Sequence, residues 1–270
     1  MTAHHIPASP GPRVAARGVR LRVRGLRAAL PLDGAVRTVL DDVNFDLRRG
    51  ERLGVLGEDD AALPLLARTL TGRPAPGDRV LAGTVTLADG PGRAPAEAGK
   101  PASGIALLDP AAPVLPHTGP APAGTRVLVT VLTGFSADEA GARTDRLRAL
   151  APALEADGTA LIVIGGPFGA VAGLCDTLQV VAGGRIVERG PAAELRARPR
   201  HGLTTALRTG DGAPPYGSGT GRGCFFAAHC PQGRGHDRCL HEVPGPTPFG
   251  SPYGSVTVKC HRPAPAAVLS

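Results

Sequence analysis

The chain has 270 residues, 42% of them hydrophobic, which is enough for one large domain with an appendage or for two domains. Aromatic residues make up 3% and Trp is absent, so Ala, Val and Leu must fill the core. The net charge of +7 indicates a basic surface, but the arginines are scattered and no RNP-like strand, CxxC finger or aromatic-laced basic stripe occurs. This pattern excludes the common nucleic-acid-binding modules.

The first third of the chain is predicted to form strands around one helix. Residues 1–18 lack the apolar centre of a signal peptide, and we expect a disordered tail there. A strand is predicted from Leu21, and two further strands flank the turn RRGE at 48–51. The second of these leads through Gly57 into a helix that stops at Gly72, and the alternating stretch AGTVTLADG is another strand.

The middle of the chain alternates buried strands with helices. Pro- and Gly-rich loops are predicted at 90–104 and 111–124, around a short strand in GIALLDP. The apolar runs TRVLVTVL and TALIVIGG are typical of strands buried on both faces. Between them we expect a helix capped by Ser136 and kinked or shortened by Pro152. This alternation predicts a parallel α/β core.

The C-terminal part begins with a short helix in FGAVAGLCD. A hairpin follows, with Gly183 and Gly184 in its turn, and then a short helix with Pro191 in its first turn. Residues 210–223 are predicted to be a linker, and 224–262 form a distinct segment that holds four of the five cysteines. No apolar run reaches the roughly 18 residues of a membrane-spanning helix, so we expect a cytoplasmic protein, peripheral to the inner face of the cell membrane at most.

Several stretches together resemble one family. These are VLDDVNFDLRRGERLGVLGE, LARTLTG, VVAGGRIVERGPAAELRARPRHGLTTAL and the cysteine pattern GCFFAAHCPQ…DRC…VKCH. They are similar to the ATP-binding subunits of ABC importers for oligopeptides, dipeptides and nickel. The resemblance implies a P-loop NTPase-like α/β core at 19–209 with a small Cys-rich C-terminal extension at 224–262.

The nucleotide-binding positions of that family are degenerate here. The P-loop lysine corresponds to Leu63 and the magnesium-binding Ser/Thr to Pro64, which offers neither a hydroxyl nor a backbone N–H. Glu58 begins a run of three acids where a triphosphate would lie, so like charges would repel. Of the nucleotide-site positions, the resemblance retains Gly57, Glu58 and the D-loop aspartate Asp138 as relics.

The other nucleotide contacts implied by the resemblance are also missing. Val131 and Leu132 replace the two Walker B carboxylates, and Gly166 replaces the switch histidine. Leu108 corresponds loosely to the Q-loop glutamine and Leu30 to the adenine-stacking aromatic residue. The LSGGQ signature and the helical subdomain that carries it are absent from the sequence. We therefore expect neither tight ATP binding nor hydrolysis.

The cysteines of the extension are candidate metal ligands. Cys224, Cys230, Cys239 and Cys260 do not have zinc-finger spacing. In some members of the family a similar extension binds a [4Fe–4S] cluster through four thiolates. Zinc in a Cys₄ site, with substitution by His229, His236, His241 or His261, a disulfide pair, or no metal are the alternatives. Cys175 is isolated, and we expect an ordinary buried thiol there.

The resemblance implies a non-catalytic subunit of a peptide or nickel ABC importer that associates with an intact paralogous ATPase and with permease subunits. A regulatory module that binds a metal cluster is one alternative. A second is an active transport ATPase with atypical motifs, and a third is a decayed, poorly folded gene product. No nucleic-acid partner is expected.

Overall fold

A computed structural model of the chain describes residues 18–32, 34–57, 61–88, 104–108, 124–210, 222–251 and 253–265. The elements in chain order are β1 (Val19–Leu32), β2 (Ala35–Arg48), β3 (Arg52–Gly57), α1 (Ala62–Thr71), β4 (Arg79–Leu87), β5 (Ile105–Leu107), β6 (Val127–Val131), α2 (Ala137–Asp157), β7 (Ala160–Ile164), α3 (Phe168–Leu174), β8 (Thr177–Ala182), β9 (Arg185–Pro191), α4 (Ala192–Ala197), α5 (Gly202–Thr209), α6 (Asp237–His241), β10 (Pro246–Ser251) and β11 (Gly254–Lys259). The predicted tail at 1–18 and the two Pro- and Gly-rich loops lie almost wholly outside the described residues.

The described strands form two sheets. The larger has the order β10-β11-β9-β8-β3-β7-β6-β5, and the smaller is the antiparallel set β2-β1-β4. Strands β5, β6, β7, β3 and β8 are parallel neighbours, whereas β9, β11 and β10 are antiparallel. The predicted α/β class with a parallel core is therefore confirmed.

The strand β7 shows why the central run is apolar on both faces. Ile162 and Ile164 belong to the core cluster that also contains β1, β2 and α1, whereas Leu161 and Val163 belong to the cluster that contains α2, α3 and α5. Successive side chains of a strand point to opposite faces, so both faces of this strand are covered. All residues of β7 are buried.

The predicted caps and turns are present. Ser136 and Glu139 form a capping box at the start of α2, in which the backbone N–H of Ser136 donates to Glu139 Oε2 at 3.0 Å. Gly72 ends α1 in the left-handed region with φ 66°. Gly183 and Gly184 both have positive φ in the β8–β9 turn, as a tight hairpin turn requires.

Of the two predicted effects of Pro152 on α2, a kink or a shortened helix, the shortening does not occur. The helix continues through this residue to Asp157, and Gly158 then ends it. Pro152 is exposed on the helix surface, so water can bond to the carbonyl group that its missing N–H leaves without a partner.

The cysteine-rich extension joins the large sheet. Its hairpin of β10 and β11 pairs with β9, with Thr257 opposite Arg189 and Val258 opposite Glu188. Of the predicted linker at 210–223, residues 211–221 lie outside the described residues, so that boundary stays a prediction. None of the described helices is long and apolar enough to cross a membrane.

Candidate functional site

The positions that correspond to a nucleotide site converge on one cavity of about 220 Å³. Gly57 at the end of β3, Leu63 in α1, Leu132 after β6 and Gly166 after β7 all contribute to its wall. The carboxyl ends of neighbouring parallel strands meet at this edge of the sheet, which is where open α/β sheets bind ligands. The rest of the described lining is Leu56, Thr133, Gly134, Phe135, Gly165, Pro167, Phe168 and Leu207.

Glycine is required at two points of this edge because atoms of neighbouring residues lie close to the backbone there. A Cβ atom on Gly57 would lie 2.7 Å from the carbonyl oxygen of Val181 in the neighbouring strand β8. Gly165 has φ 76°, and a Cβ atom there would lie 2.2 Å from the side chain of Thr133. The two glycines thus allow the strand ends to lie in close contact, and Gly57 is the one at the turn that the resemblance assigns to phosphate binding.

The cavity has no charged side chain among its described lining residues. Leu63, at the position of the P-loop lysine, is 2% exposed and packs in the core cluster that also contains Leu53 and Val55 of β3. Leu132, at a Walker B position, is 1% exposed and packs in the other core cluster. These leucines extend the core and leave the described wall without a cationic side chain for phosphate or a carboxylate for magnesium.

The remaining relic positions do not join the described lining. Asp138 is exposed in the first turn of α2, where a carboxylate favours the helix dipole. Leu30 and Leu108 pack at the edges of the two core clusters. Glu58 lies outside the described residues. The structure therefore brings Gly57 to the cavity but not Asp138.

The four cysteines of the extension are near one another. A Cβ atom on Gly233 would lie 3.4 Å from Cys239 Sγ and 3.5 Å from Cys230 Sγ, so both sulfur atoms face the same small space. The backbone N–H of Cys224 donates to the carbonyl of Cys239 at 2.8 Å. Cys260 Sγ accepts from the backbone N–H of Arg262 at 3.4 Å. All five cysteines of the chain are free.

The thiols of this group interact electrostatically. Burial raises the pKa of Cys224 and Cys239 and raises the pKa of Cys260 to about 11. The charges of neighbouring cysteines act in the same direction, with Cys230 contributing to each of the three. The thiols of Cys224, Cys239 and Cys260 are therefore neutral at pH 7, and a bound cation would be needed to hold them as thiolates.

Three of the four extension histidines have other contacts, and the ring of His229 lies 6.3 Å from that of Phe226, centre to centre. His261 Nε2 lies 2.9 Å from the carbonyl oxygen of Glu242, and His236 contacts the guanidinium of Arg262. His229 and His241 are exposed. Within the described part of the chain, no three His, Cys, Asp or Glu side chains are grouped so as to hold a metal ion.

His201 is the neighbour of the cysteines that the sequence did not single out. Its Nε2 atom is 3.7 Å from Cys224 Sγ, and its Nδ1 accepts the backbone N–H of Leu203 at 3.1 Å. Burial lowers the pKa of His201 to about 4, so the ring is neutral at pH 7. The available signal was its place in the RPRH tract at 198–201, which is part of one of the stretches that resemble the family.

A buried carboxylate fixes the backbone of that tract. Glu188 in β9 is fully buried and accepts the backbone N–H groups of Arg200 at 2.8 Å and His201 at 3.0 Å. Burial raises the pKa of Glu188, although these bonds oppose the effect. The Arg200 guanidinium lies 4.4 Å from the ring centre of Phe249 in β10. The tract therefore connects the core to the extension.

Cys175 lies apart from this group. It is 6% exposed and belongs to the core cluster around α3, and burial raises the pKa of its thiol far above the ordinary value. Its sulfur lies 3.3 Å from the position of a Cβ atom on Gly54. The expectation of an ordinary buried thiol is confirmed for Cys175.

Comparison with known proteins gives one short match in sequence. No family model matches the chain. Over 50 residues, 18% of the chain, it is 48% identical to the nickel import ATP-binding protein NikD of Rhodospirillum rubrum. The match spans only 19% of that relative. This segment is homologous to part of an import ATP-binding protein, the type of subunit that the sequence resembles.

Two solved structures match part of the fold. One is cbiO1 from Clostridium perfringens, part of the ABC transporter complex cbiONQ, with a TM-score of 0.46 and 14% identity over 66% of this chain and 91% of that chain. Another is the ADP conformation of an ATP-binding cassette of an ABC transporter, with a TM-score of 0.48 and 13% identity over 71% of this chain and 95% of that chain.

Proposed function

We propose that the chain is a degenerate, non-catalytic relative of the ATP-binding subunits of ABC importers for peptides or nickel. The observation that carries this proposal is the uncharged wall of the cavity at Gly57. Leu63 and Leu132 stand there at the positions of the P-loop lysine and a Walker B carboxylate. Both are core residues, so the framework of the site persists while its ligands are replaced by packing.

The electrostatics of this cavity are unfavourable for binding Mg-ATP. Phosphoryl transfer in P-loop enzymes depends on a lysine and on a magnesium ion that neutralise the phosphate charge. A triphosphate in the cavity would lose water without gaining a cationic partner from the described wall, and burial of an unpaired charge costs several kcal/mol. The acids at 58–60 add like charge in the same turn of the sequence.

The proposed role is that of a partner to an intact paralogous ATPase subunit and to permease subunits. The 50-residue similarity to the nickel import ATP-binding protein supports this assignment. In such an assembly the intact subunit would hydrolyse ATP, and this chain would have a structural role as a binding partner. Co-purification with permease or ATPase chains from the native cell tests the partnership, and recovery of neither would contradict it.

Calorimetric titration of the full chain with Mg-ATP tests the loss of the nucleotide site. We expect no saturable heat up to millimolar nucleotide and no phosphate release above background, while an intact ATP-binding subunit in the same buffer gives both. Micromolar, magnesium-dependent binding would overturn the proposal. Such binding with turnover would favour the alternative of an active ATPase with atypical motifs.

We propose metal-cluster binding as a second candidate function. The observation in its favour is the proximity of Cys224, Cys230, Cys239 and Cys260. The sulfur atoms of Cys230 and Cys239 face the same space beside Gly233, and the backbone N–H of Cys224 donates to the carbonyl of Cys239. These thiols are not grouped closely enough for a single ion, but a [4Fe–4S] cluster is wider and its usual ligand set is four cysteines. When bound, such a cluster supplies cross-links between the loops of the extension and a one-electron redox centre.

Oxygen-free purification with iron, sulfide and zinc analysis tests this candidate. A brown chain with about four iron and four sulfide per molecule supports a [4Fe–4S] cluster, and one zinc without sulfide supports the Cys₄ zinc alternative. Cys230→Ser and Cys239→Ser should lose the metal. Cys175→Ser is the matched control and should keep it, because Cys175 lies in the core away from the group. A chain free of both metals after anaerobic reconstitution overturns the candidate.

A further inference from the structure

A second cavity, of about 260 Å³, lies between the small sheet, the β8–β9 turn and the extension. It shares no lining residue with the cavity at Gly57. Its wall includes Arg27 of β1, Arg185 of β9, Lys259 of β11 and the ring of Phe225. Elements from three parts of the chain thus build one opening, and neither the resemblance nor the sequence match assigns it a ligand.

The charge of this cavity is positive. Asp41 is the one acid in its described lining, and it contacts Arg27 Nε at 3.1 Å and Arg185 Nε at 2.9 Å. One carboxylate therefore offsets only one of the two guanidinium groups. Among the described residues Lys259 has no ion-pair partner, so its ammonium adds a second uncompensated positive charge. A cavity with this excess attracts anions.

The same cavity has an apolar side. Phe225 lies against the β8–β9 turn, where a Cβ atom on Gly183 would be 2.6 Å from its ring. Glycine at this turn therefore lets the aromatic ring lie against the backbone. Ala182, Val187, Val243 and Pro244 complete the apolar wall. A flat apolar body can pack on such a wall while a polar group reaches the cations.

We propose that this cavity binds a small organic anion that has a flat apolar body. Its anionic group meets the positive charge of Arg185 and Lys259, and its body packs against Phe225. The volume is slightly below the range of drug-sized sites, which favours a ligand of one or two rings. Carboxylates, sulfonates and phosphate monoesters share the chemistry that the cavity recognises.

Three probe molecules test separately the contributions of the anionic group and of the flat apolar body to binding. Calorimetry of the full chain with naphthalene-2-sulfonate, which has both the charge and the body, should show saturable binding with one site. Naphthalene-2-methanol keeps the body without the charge, and sulfate keeps the charge without the body. Both should bind at least about tenfold more weakly, the effect of losing one charged hydrogen bond or a buried ring. Equal affinity of either for the chain would overturn the proposal.

Two variants locate the binding. Lys259→Gln should weaken naphthalene-2-sulfonate by about tenfold, and the matched control Arg208→Gln should not, because Arg208 is exposed on α5 outside the lining. Val243→Glu places a negative charge at an exposed position of the wall and should abolish binding. Unchanged affinity in both Lys259→Gln and Val243→Glu would show that the probe binds elsewhere.

Chemical labelling gives a test that does not depend on a variant. The chain has two lysines, Lys100 and Lys259. Acetylation of Lys259, followed by mass spectrometry, should slow severalfold when naphthalene-2-sulfonate saturates the chain, while Lys100 serves as the internal control. Equal rates at Lys259 with and without the probe would contradict the assigned site.

Discussion

His201 Nε2 lies 3.7 Å from Cys224 Sγ, which joins the start of α5 to the cysteine-rich extension. Because His201 Nδ1 accepts the N–H of Leu203, the ring proton of the neutral imidazole is on Nε2 and points to the sulfur. The ring also lies 6.2 Å from that of Phe226, centre to centre. The His201 side chain therefore caps α5, packs in the core and contacts Cys224, a candidate metal ligand.

The variant His201→Ala removes all three contacts. We expect the free energy of unfolding to fall by about 3 kcal/mol, from the lost cap and the cavity that replaces a buried ring. Urea denaturation followed by circular dichroism measures the change. His241→Ala is the control, because His241 is exposed on α6, and its effect should stay within about 0.5 kcal/mol. Equal effects would show that His201 does not contribute to the core.

Substitutions at Leu63 test whether its side chain serves the core or still lies where the P-loop lysine of the family would act. The side chain is 2% exposed among apolar neighbours, so Leu63→Met should cost less than about 1.5 kcal/mol. Leu63→Lys would bury an ammonium group without a partner and should cost about 3–5 kcal/mol. Urea denaturation of both variants measures the difference. A stable Leu63→Lys variant that gains Mg-ATP binding would show that this side chain points into the cavity.

The sequence predicted those parts of the fold that depend on neighbouring residues. The apolar runs of β6 and β7, the capping box at Ser136 and the two-glycine turn are local patterns, and the structure contains them. Pro152 is the exception, since the helix tolerates it on an exposed face. Local propensity is a weak guide where solvent can satisfy the backbone.

The parts that were not predicted depend on residues far apart in the chain. The strands β10 and β11 were not predicted, and nothing local specifies that Thr257 pairs with Arg189 of β9. The contact between His201 and Cys224 likewise follows from packing across the sheet. The cavity at Gly57 was predicted only by the resemblance, because its wall comes from separate strand ends that composition and periodicity do not bring together.

The pairing of β11 with β9 predicts a single unfolding transition for the core and the extension. Val256 is fully buried, and a Cβ atom on Gly190 of β9 would lie 2.7 Å from its side chain. Val256→Ala should lower the free energy of unfolding by about 2 kcal/mol. Val243→Ala is the control, since Val243 is 49% exposed, and should change it by less than about 0.5 kcal/mol.

Differential scanning calorimetry of Val256→Ala separates two structural interpretations of the extension. If the extension shares the core, the whole transition shifts to lower temperature as one peak. If residues 224–262 fold independently, the variant should move only a minor peak and leave the main one in place. The second outcome would contradict the continuous sheet.

Asp78 provides a pH-dependent contribution to stability. Its carboxylate, 3% exposed, accepts Arg68 Nε at 2.7 Å and the backbone N–H of Ala75 at 2.9 Å. Burial alone would raise the pKa of Asp78, but these bonds lower it below the ordinary value of 3.8. Since the folded pKa is depressed, the stabilisation is present above the ordinary value and is lost as pH falls through the folded value.

Asp78→Asn should therefore lower the free energy of unfolding at pH 7 by about 2 kcal/mol, and the difference from the native chain should shrink below about pH 4. Urea denaturation at intervals between about pH 3 and 7 measures it. Asp145→Asn is the control, because its carboxylate is 73% exposed beside Arg148 on α2, and exposed pairs contribute little. If Asp78→Asn costs the same stability at low pH, where Asp78 is protonated, as at pH 7, where it is charged, the prediction fails. The contribution of Asp78 would then come from the shape of its side chain and not from its charge.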